Sequence, residues 1–167
     1  MGGVDKDNAT GKVLRALLNS SLPSCCQITV VMGTTAPWLE EVKRQSHDMP
    51  WPTQVMVGVN DMAQLMADSD LAIGAAGATA WELCCLGVPT ILVVLSDNQQ
   101  KVARSLNLAG ASMCIAQNEN VIERVAELLE LLIEHPARLS CMIESAAGIL
   151  YGRGLNGVIQ QMGTFGE

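Results

Sequence analysis

The sequence predicts an α/β domain, a three-layer sandwich built on a mostly parallel sheet. Three observations carry that reading. Short apolar runs (Gln27–Met32, Thr53–Val57, Asp70–Gly74 and Thr90–Leu95) alternate with longer stretches of helical periodicity, the pattern of consecutive βαβ units. Hydrophobic residues make up 49% of the 167 and charged residues 16%, a balance that suits strands covered on both faces. The apolar runs give way to glycine or to a short polar cluster, at Gly33, Gly58, Gly74 and Ser96-Asp97-Asn98.

Taken in order, Gly2-Gly3-Val4-Asp5 reads as a strand-to-helix turn with no strand before it, so a first strand is expected to be missing. Asn8 to Ser20 then reads as a helix, capped by Asp5, Asp7 or Asn8, with Val13, Leu14, Leu17 and Leu18 inward. Gln27–Met32 is the first strand, and Pro37 to Ser46 a helix with proline in its first turn. His47 to Pro52 reads as loop, Thr53–Val57 as strand, and Asp61 to Ala67 as a short helix.

Ser69 to Gln100 is the centre of the chain. Asp70–Gly74 is a strand, Ala75-Ala76-Gly77-Ala78 a turn almost without side chains, and Thr79 to Leu86 a helix opening directly from it. Gly87-Val88-Pro89 breaks that helix before the buried strand Thr90–Leu95. Beyond it come a helix from Gln99 to Leu108, a strand from Ala111 to Ile115, a long helix from Asn118 to His135 and another from Pro136 to about Leu150. A glycine-rich tail, Tyr151 to Gly157, follows. Strands and helices in this order make the domain Rossmann-like, with ligands expected at the carboxyl ends of the strands.

Net charge is −7, with no basic cluster, which argues against a nucleic-acid or membrane surface. The cysteines fall at Cys25-Cys26, Cys84-Cys85, Cys114 and Cys141, with no Cys-x-x-Cys spacing. They read as reduced, buried thiols of a cytoplasmic protein. No apolar run reaches membrane-spanning length. No metal-ligand cluster, phosphate-loop lysine motif or nucleophile elbow is visible, so no metal or cofactor is expected. Gly-x-Gly-x-x-Gly is absent too, which disfavours a dinucleotide site.

Bare backbone feeding a helix N-terminus makes an anion pocket, because amides are exposed and the helix dipole is positive there. The turn Ala75–Thr79 is therefore expected to hold the diphosphate of a sugar nucleotide, although small residues can equally serve tight packing of a helix on a sheet. Thr79 and Glu82 have capping-box spacing, and Glu82 either closes on the Thr79 amide or offers its carboxylate to two ribose hydroxyls. Asp97-Asn98-Gln99-Gln100 lies just past a strand, where amide side chains suit sugar hydroxyls and Asp97 or Asn98 suits a helix cap. His47 and His135 read as structural or solvated, and Trp81 as core.

The blocks Gly2-Gly-Val-Asp5, Asp61 to Gly74, Gly77-Ala-Thr-Ala-Trp-Glu-Leu-Cys-Cys-Leu-Gly-Val-Pro89 and Ser96-Asp-Asn-Gln99 together resemble a known family. They are similar to the C-terminal half of the UDP-sugar hydrolase of pseudaminic acid biosynthesis. That family groups with spore-coat polysaccharide biosynthesis proteins and is distantly like the peptidoglycan N-acetylglucosaminyltransferase, with the GT-B fold. The resemblance implies a UDP site from Gly2, Gly3, Val59, Gly77, Ala78, Thr79 and Glu82, with Asn98 and Gln99 reaching the sugar. Gly77 to Thr79 would meet the diphosphate, Val59 the uracil and Glu82 the ribose. The chain departs from the family at Ala76 to Thr79, where Gly-Gly-Ser-Thr is usual, and at Leu83, where arginine is usual. The family's proposed catalytic histidine belongs to an N-terminal domain this sequence does not contain, so a missing N-terminal domain or partner chain is expected and no catalytic residue is assigned. Three readings stand: half of a UDP-sugar hydrolase, the donor-binding domain of a GT-B glycosyltransferase, or a non-catalytic docking module. The sugar and the oligomeric state are left open.

Overall fold

The computed structural model describes Met1 and residues 4–149. Gly2, Gly3 and the glycine-rich tail lie outside the described residues. The elements run α1 (Ala9–Leu18), β1 (Ile28–Met32), α2 (Leu39–His47), β2 (Thr53–Val57), α3 (Met62–Ala67), β3 (Ala72–Ala75), α4 (Ala78–Cys85), β4 (Thr90–Val93), α5 (Gln100–Leu108), β5 (Ser112–Ile115), α6 (Val121–Glu134) and α7 (Ala137–Ile149). A 3₁₀ turn, Asp97–Gln99, leads into α5.

Every strand pairing is parallel. The strands form two sheets rather than one, β1–β2 and β3–β4–β5, because no described strand lies between β1 and β3. The starts of those two strands are neighbours. The Cys26 thiol, just before β1, is raised by burial, then by Cys25 and by the charge of Asp70, just before β3. Ile28 to Val31 of β1 and Ile73 of β3 line one cavity between the sheets.

β4 shows why the domain has three layers. All four of its residues are buried, and successive strand side chains point to opposite faces. Ile91 and Val93 join a cluster with Leu14 and Leu17 of α1 and Val125 and Leu129 of α6. Leu92, with Val94 beyond the strand, joins Ala80 and Cys84 of α4 and Ala103 and Leu106 of α5. A smaller cluster of Met66, Leu83 and Val88 ties α3 to α4.

Several elements sit a residue or two from their expected bounds. Ala75 closes β3 instead of opening the turn, pairing with Val93. α6 is capped by Asn120, whose side chain accepts from the Ile122 amide at 3.1 Å, and not by Asn118. His47 ends α2 rather than starting a loop, and both histidines are exposed. The thiols correct the expectation of burial. All six cysteines are free, but only Cys84 is buried, while Cys25, Cys85 and Cys141 are exposed. Trp81 is likewise 41% exposed instead of core. Trp81 and Cys85 lie on α4 and Cys141 on α7, helices with more apolar residues than their buried faces take, while Cys25 stands in the turn before β1.

Candidate functional site

Parallel pairing puts the turns after β3, β4 and β5 on one edge. The register Ala75↔Val93 sets the start of α4 beside the loop after β4, and the Ala76 amide reaches over to the Val93 carbonyl at 3.3 Å.

At the start of α4, the Gly77 amide donates to Ala75 at 2.8 Å and the Ala80 amide to Gly77 at 3.1 Å. Between them the Ala78 and Thr79 amides have no acceptor among the described residues. Gly77 is the cap residue, with extended backbone and no side chain to close the helix. A Cβ built on Gly77 meets nothing within 4 Å, so packing does not require glycine there. Ala76 and Ala80, by contrast, are buried in the core. The small residues thus divide: two serve helix–sheet packing, and Gly77 and Ala78 leave open space above free amides.

Glu82 is exposed and accepts no hydrogen bond among the described residues. The capping-box reading fails because the helix starts a residue early, at Ala78, which makes Gly77 the cap and Thr79 an interior residue. Thr79 and Glu82, three apart, share one exposed helix face.

A control lies in the same chain. The first turn of α1 is also a helix N-terminus, but its amides are taken. The buried Asp5 carboxylate accepts from Ala9 at 2.8 Å and Thr10 at 3.0 Å, and Asn8 Oδ1 accepts from Gly11 at 3.0 Å. Asp5 and Asn8 both adopt left-handed backbone to do so, φ 42° and 51°. Sequence named Asp5 as one cap candidate among three; its double role follows from this local fold.

In the loop after β4, Asn98 is exposed and its Oδ1 accepts from the Ser96 hydroxyl at 2.5 Å. Gln99 Oε1 accepts from the Leu95 amide at 2.9 Å. Gln99 therefore holds the loop, and Asn98 is the outward residue of the pair. Asp97 caps nothing with its side chain and accepts from Gln100 Nε2 at 3.0 Å. Val59 is half-buried in the turn between β2 and α3, and α3 packs against α4. Gly2 and Gly3 fall outside the described residues.

The start of α4 is an open surface and lines neither of two cavities elsewhere in the domain. One, ≈ 750 Å³, has Gln100, Arg104, Asn107, Gln117, Asn118 and Glu119 on its walls. The polar run Gln117-Asn118-Glu119-Asn120 after β5 was the sequence signal for it, read only as a helix start. The other lies between the two sheets. Among the described residues no group of His, Cys, Asp and Glu could hold a metal ion, and no helix is long and apolar enough to cross a membrane.

Comparison with known proteins agrees with this architecture. The family model of the glycosyltransferase family 28 C-terminal domain matches residues 8–150. The spore coat polysaccharide biosynthesis protein SpsG of Bacillus subtilis (strain 168) is 29% identical over 142 residues, 84% of this chain and 42% of the relative. The UDP-N-acetylglucosamine–N-acetylmuramyl-(pentapeptide) pyrophosphoryl-undecaprenol N-acetylglucosamine transferase of Phenylobacterium zucineum is 30% identical over 128 residues, 74% of this chain and 35% of the relative. Among solved structures, Acinetobacter baumannii MurG aligns with TM-score 0.65 at 23% identity, covering 87% of this chain and 42% of that one. The spinosyn rhamnosyltransferase SpnG complexed with thymidine diphosphate aligns with TM-score 0.65 at 20% identity, over 93% and 41%. The chain thus spans less than half the length of these relatives. The parallel three-layer fold is that of the GT-B C-terminal domains, and with residues 8–150 matched, this chain belongs to the glycosyltransferase family 28 C-terminal domain family.

Proposed function

We propose that this chain is the UDP-sugar donor-binding half of a two-domain GT-B glycosyltransferase. The observation that carries the reading is the uncapped start of α4: two adjacent free amides at Ala78 and Thr79, with an exposed acid one turn along the same helix. The amides and the helix dipole favour a diphosphate without a metal or a basic side chain. In this reading Glu82 accepts from both ribose hydroxyls, Val59 offers backbone to the base, and Asn98 meets the sugar. Gly2 and Gly3 would complete the pyrophosphate side.

In that site the chain's contribution is electrostatic. As the bond from the anomeric carbon to the diphosphate breaks, negative charge grows on the leaving oxygen, and fixed N–H dipoles stabilise it with little reorganisation. An acceptor hydroxyl takes the anomeric carbon, deprotonated by a base from the other half of the enzyme. The family match and the transferase relatives favour this reading over hydrolysis.

A UDP-sugar hydrolase of the pseudaminic acid type would use the same donor site with water in place of the acceptor. Its support is the block Trp81 to Pro89. Measuring UDP release by the two-domain protein from UDP-N-acetylglucosamine, with and without an acceptor alcohol, separates the two. Release that requires acceptor fits the transferase, and release in water alone fits the hydrolase.

Calorimetric titration of the 167-residue chain with UDP tests the site itself. Binding of UDP well above that of uridine is the expected result. Absence of heat at millimolar UDP, with the fold intact by circular dichroism, overturns the assignment and favours a docking module.

A further inference from the structure

The cavity of ≈ 750 Å³ is bounded by α5, by β5 and by the loop that follows β5. Its polar lining is mostly carboxamide. Gln100, Arg104 and Asn107 stand at positions i, i+4 and i+7 of α5 and so share one stripe of the helix. Gln117 and Asn118 line the cavity from the loop. That loop is tied across its base: the Glu119 amide donates to the Ala116 carbonyl at 3.1 Å, and the Glu119 carboxylate accepts from the Ala116 amide. Gln117 and Asn118 are thus held between two fixed points before any ligand arrives, which lowers the ordering cost of binding. Glu119 also lines the cavity, but Arg124 pairs with it at 2.9 Å. Arg104 has no carboxylate partner among the described residues. The cavity therefore holds one uncompensated cation in a chain of net charge −7. Val94 and Cys114 supply an apolar wall, and the Cys114 thiol is occupied, donating to the Ala103 carbonyl at 3.1 Å.

We propose that this cavity is a second binding site, separate from the start of α4, and that it takes a sugar bearing one carboxylate, of the hexuronate class. The planar Arg104 guanidinium matches a carboxylate with two parallel N–H bonds. A phosphate dianion calls for a second cation or free helix amides, and the lining offers neither. Asn120 closes the start of α6, accepting from the Ile122 amide at 3.1 Å, and Glu119 takes the Ala116 amide. Carboxamides carry both donors and acceptors, which suits the hydroxyls of a pyranose ring. Gln100 Nε2 donates to Asp97 at 3.0 Å, which leaves Gln100 Oε1 to accept. The volume falls in the range of small-molecule sites. Arg104 is exposed, and an exposed ion pair contributes little by itself, so affinity requires the carboxylate and the hydroxyls on one molecule.

The proposal is tested by titrating the 167-residue chain with glucuronate, glucose, acetate and glucose 6-phosphate while amide NMR shifts are read. Glucuronate is expected to saturate and to bind about tenfold or more tighter than glucose or acetate, the worth of a bidentate charge-assisted pair joined to hydroxyl contacts. The shifts are expected around Arg104 and at residues 116–119, and not at Ala78 and Thr79. Arg104→Gln should weaken glucuronate by about tenfold or more, and Arg104→Lys, which keeps the charge without the fork, should weaken it less. Asn118→Ala, at an exposed loop position, gives a second variant that leaves the helix untouched and should also weaken it. Equal affinity for glucuronate and acetate overturns the proposal, since charge alone is then being read. Tighter binding of glucose 6-phosphate than of glucuronate overturns the carboxylate assignment. Absence of saturation, shifts centred on the start of α4, or affinity unchanged by both Arg104→Gln and Asn118→Ala overturns the site.

Discussion

The Asp5 carboxylate lies on the Ala9 amide at 2.8 Å and closes the first turn of α1 from inside the chain. That single contact separates the domain's two glycine-associated helix starts. α1 carries its own anion; α4 does not, and its Ala78 and Thr79 amides stay free.

Removing the acid at α1 should therefore cost stability and leave nucleotide binding at α4 in place. Asp5→Ala strips the acceptor from two buried amides and is expected to destabilise by about 1–3 kcal/mol in urea unfolding. Asn8→Ala, which removes one cap bond, should cost about 1 kcal/mol.

At α4 the balance reverses. Gly77→Ala places a methyl in open space, so unfolding should shift by no more than about 1 kcal/mol, the cost of a poorer cap. The same methyl takes up part of the open space at the start of α4, and UDP affinity measured by calorimetry should fall at least tenfold. A large loss of stability with unchanged affinity would count against the site.

Glu82 offers a sharper test because its proposed partner can be deleted too. Glu82→Ala should weaken UDP by about 10–100-fold, the worth of a charge-assisted hydrogen-bond pair of roughly 1.5–3 kcal/mol. With 2′,3′-dideoxyuridine diphosphate the substitution should cost almost nothing. An equal loss with both ligands would remove Glu82 from the ribose.

Thiol chemistry follows exposure. Burial raises the Cys84 thiol, so near neutral pH it stays protonated, and its Sγ faces the Ala146 carbonyl at 4.0 Å. Iodoacetamide should modify the exposed Cys25, Cys85 and Cys141 before Cys84 in the folded protein. Mass spectrometry of timed digests reads the order, and urea should abolish the lag of Cys84.

In the core, Leu92→Ala is expected to cost about 2–5 kcal/mol, since Leu92 of the central strand β4 is fully buried against α4 and α5.

The order of strands and helices and their parallel pairing could be read from the chain, because periodicity and glycine punctuation act over a few residues. Thr53–Val57 and the far end of α5 fall at their expected bounds for that reason. The low-side-chain approach to α4 was legible in the same way. What neighbours in space decide could not be read. Gln99 looked outward by composition, yet its side chain turned back to Leu95. Glu82 had capping-box spacing, yet α4 began one residue earlier and left it exposed. The split between the β1–β2 and β3–β4–β5 sheets, with a cavity lined by residues of both, emerges only in the fold. Local sequence fixes which backbone conformations are cheap; only packing determines which of the resulting polar groups find a partner and which stay open to a ligand.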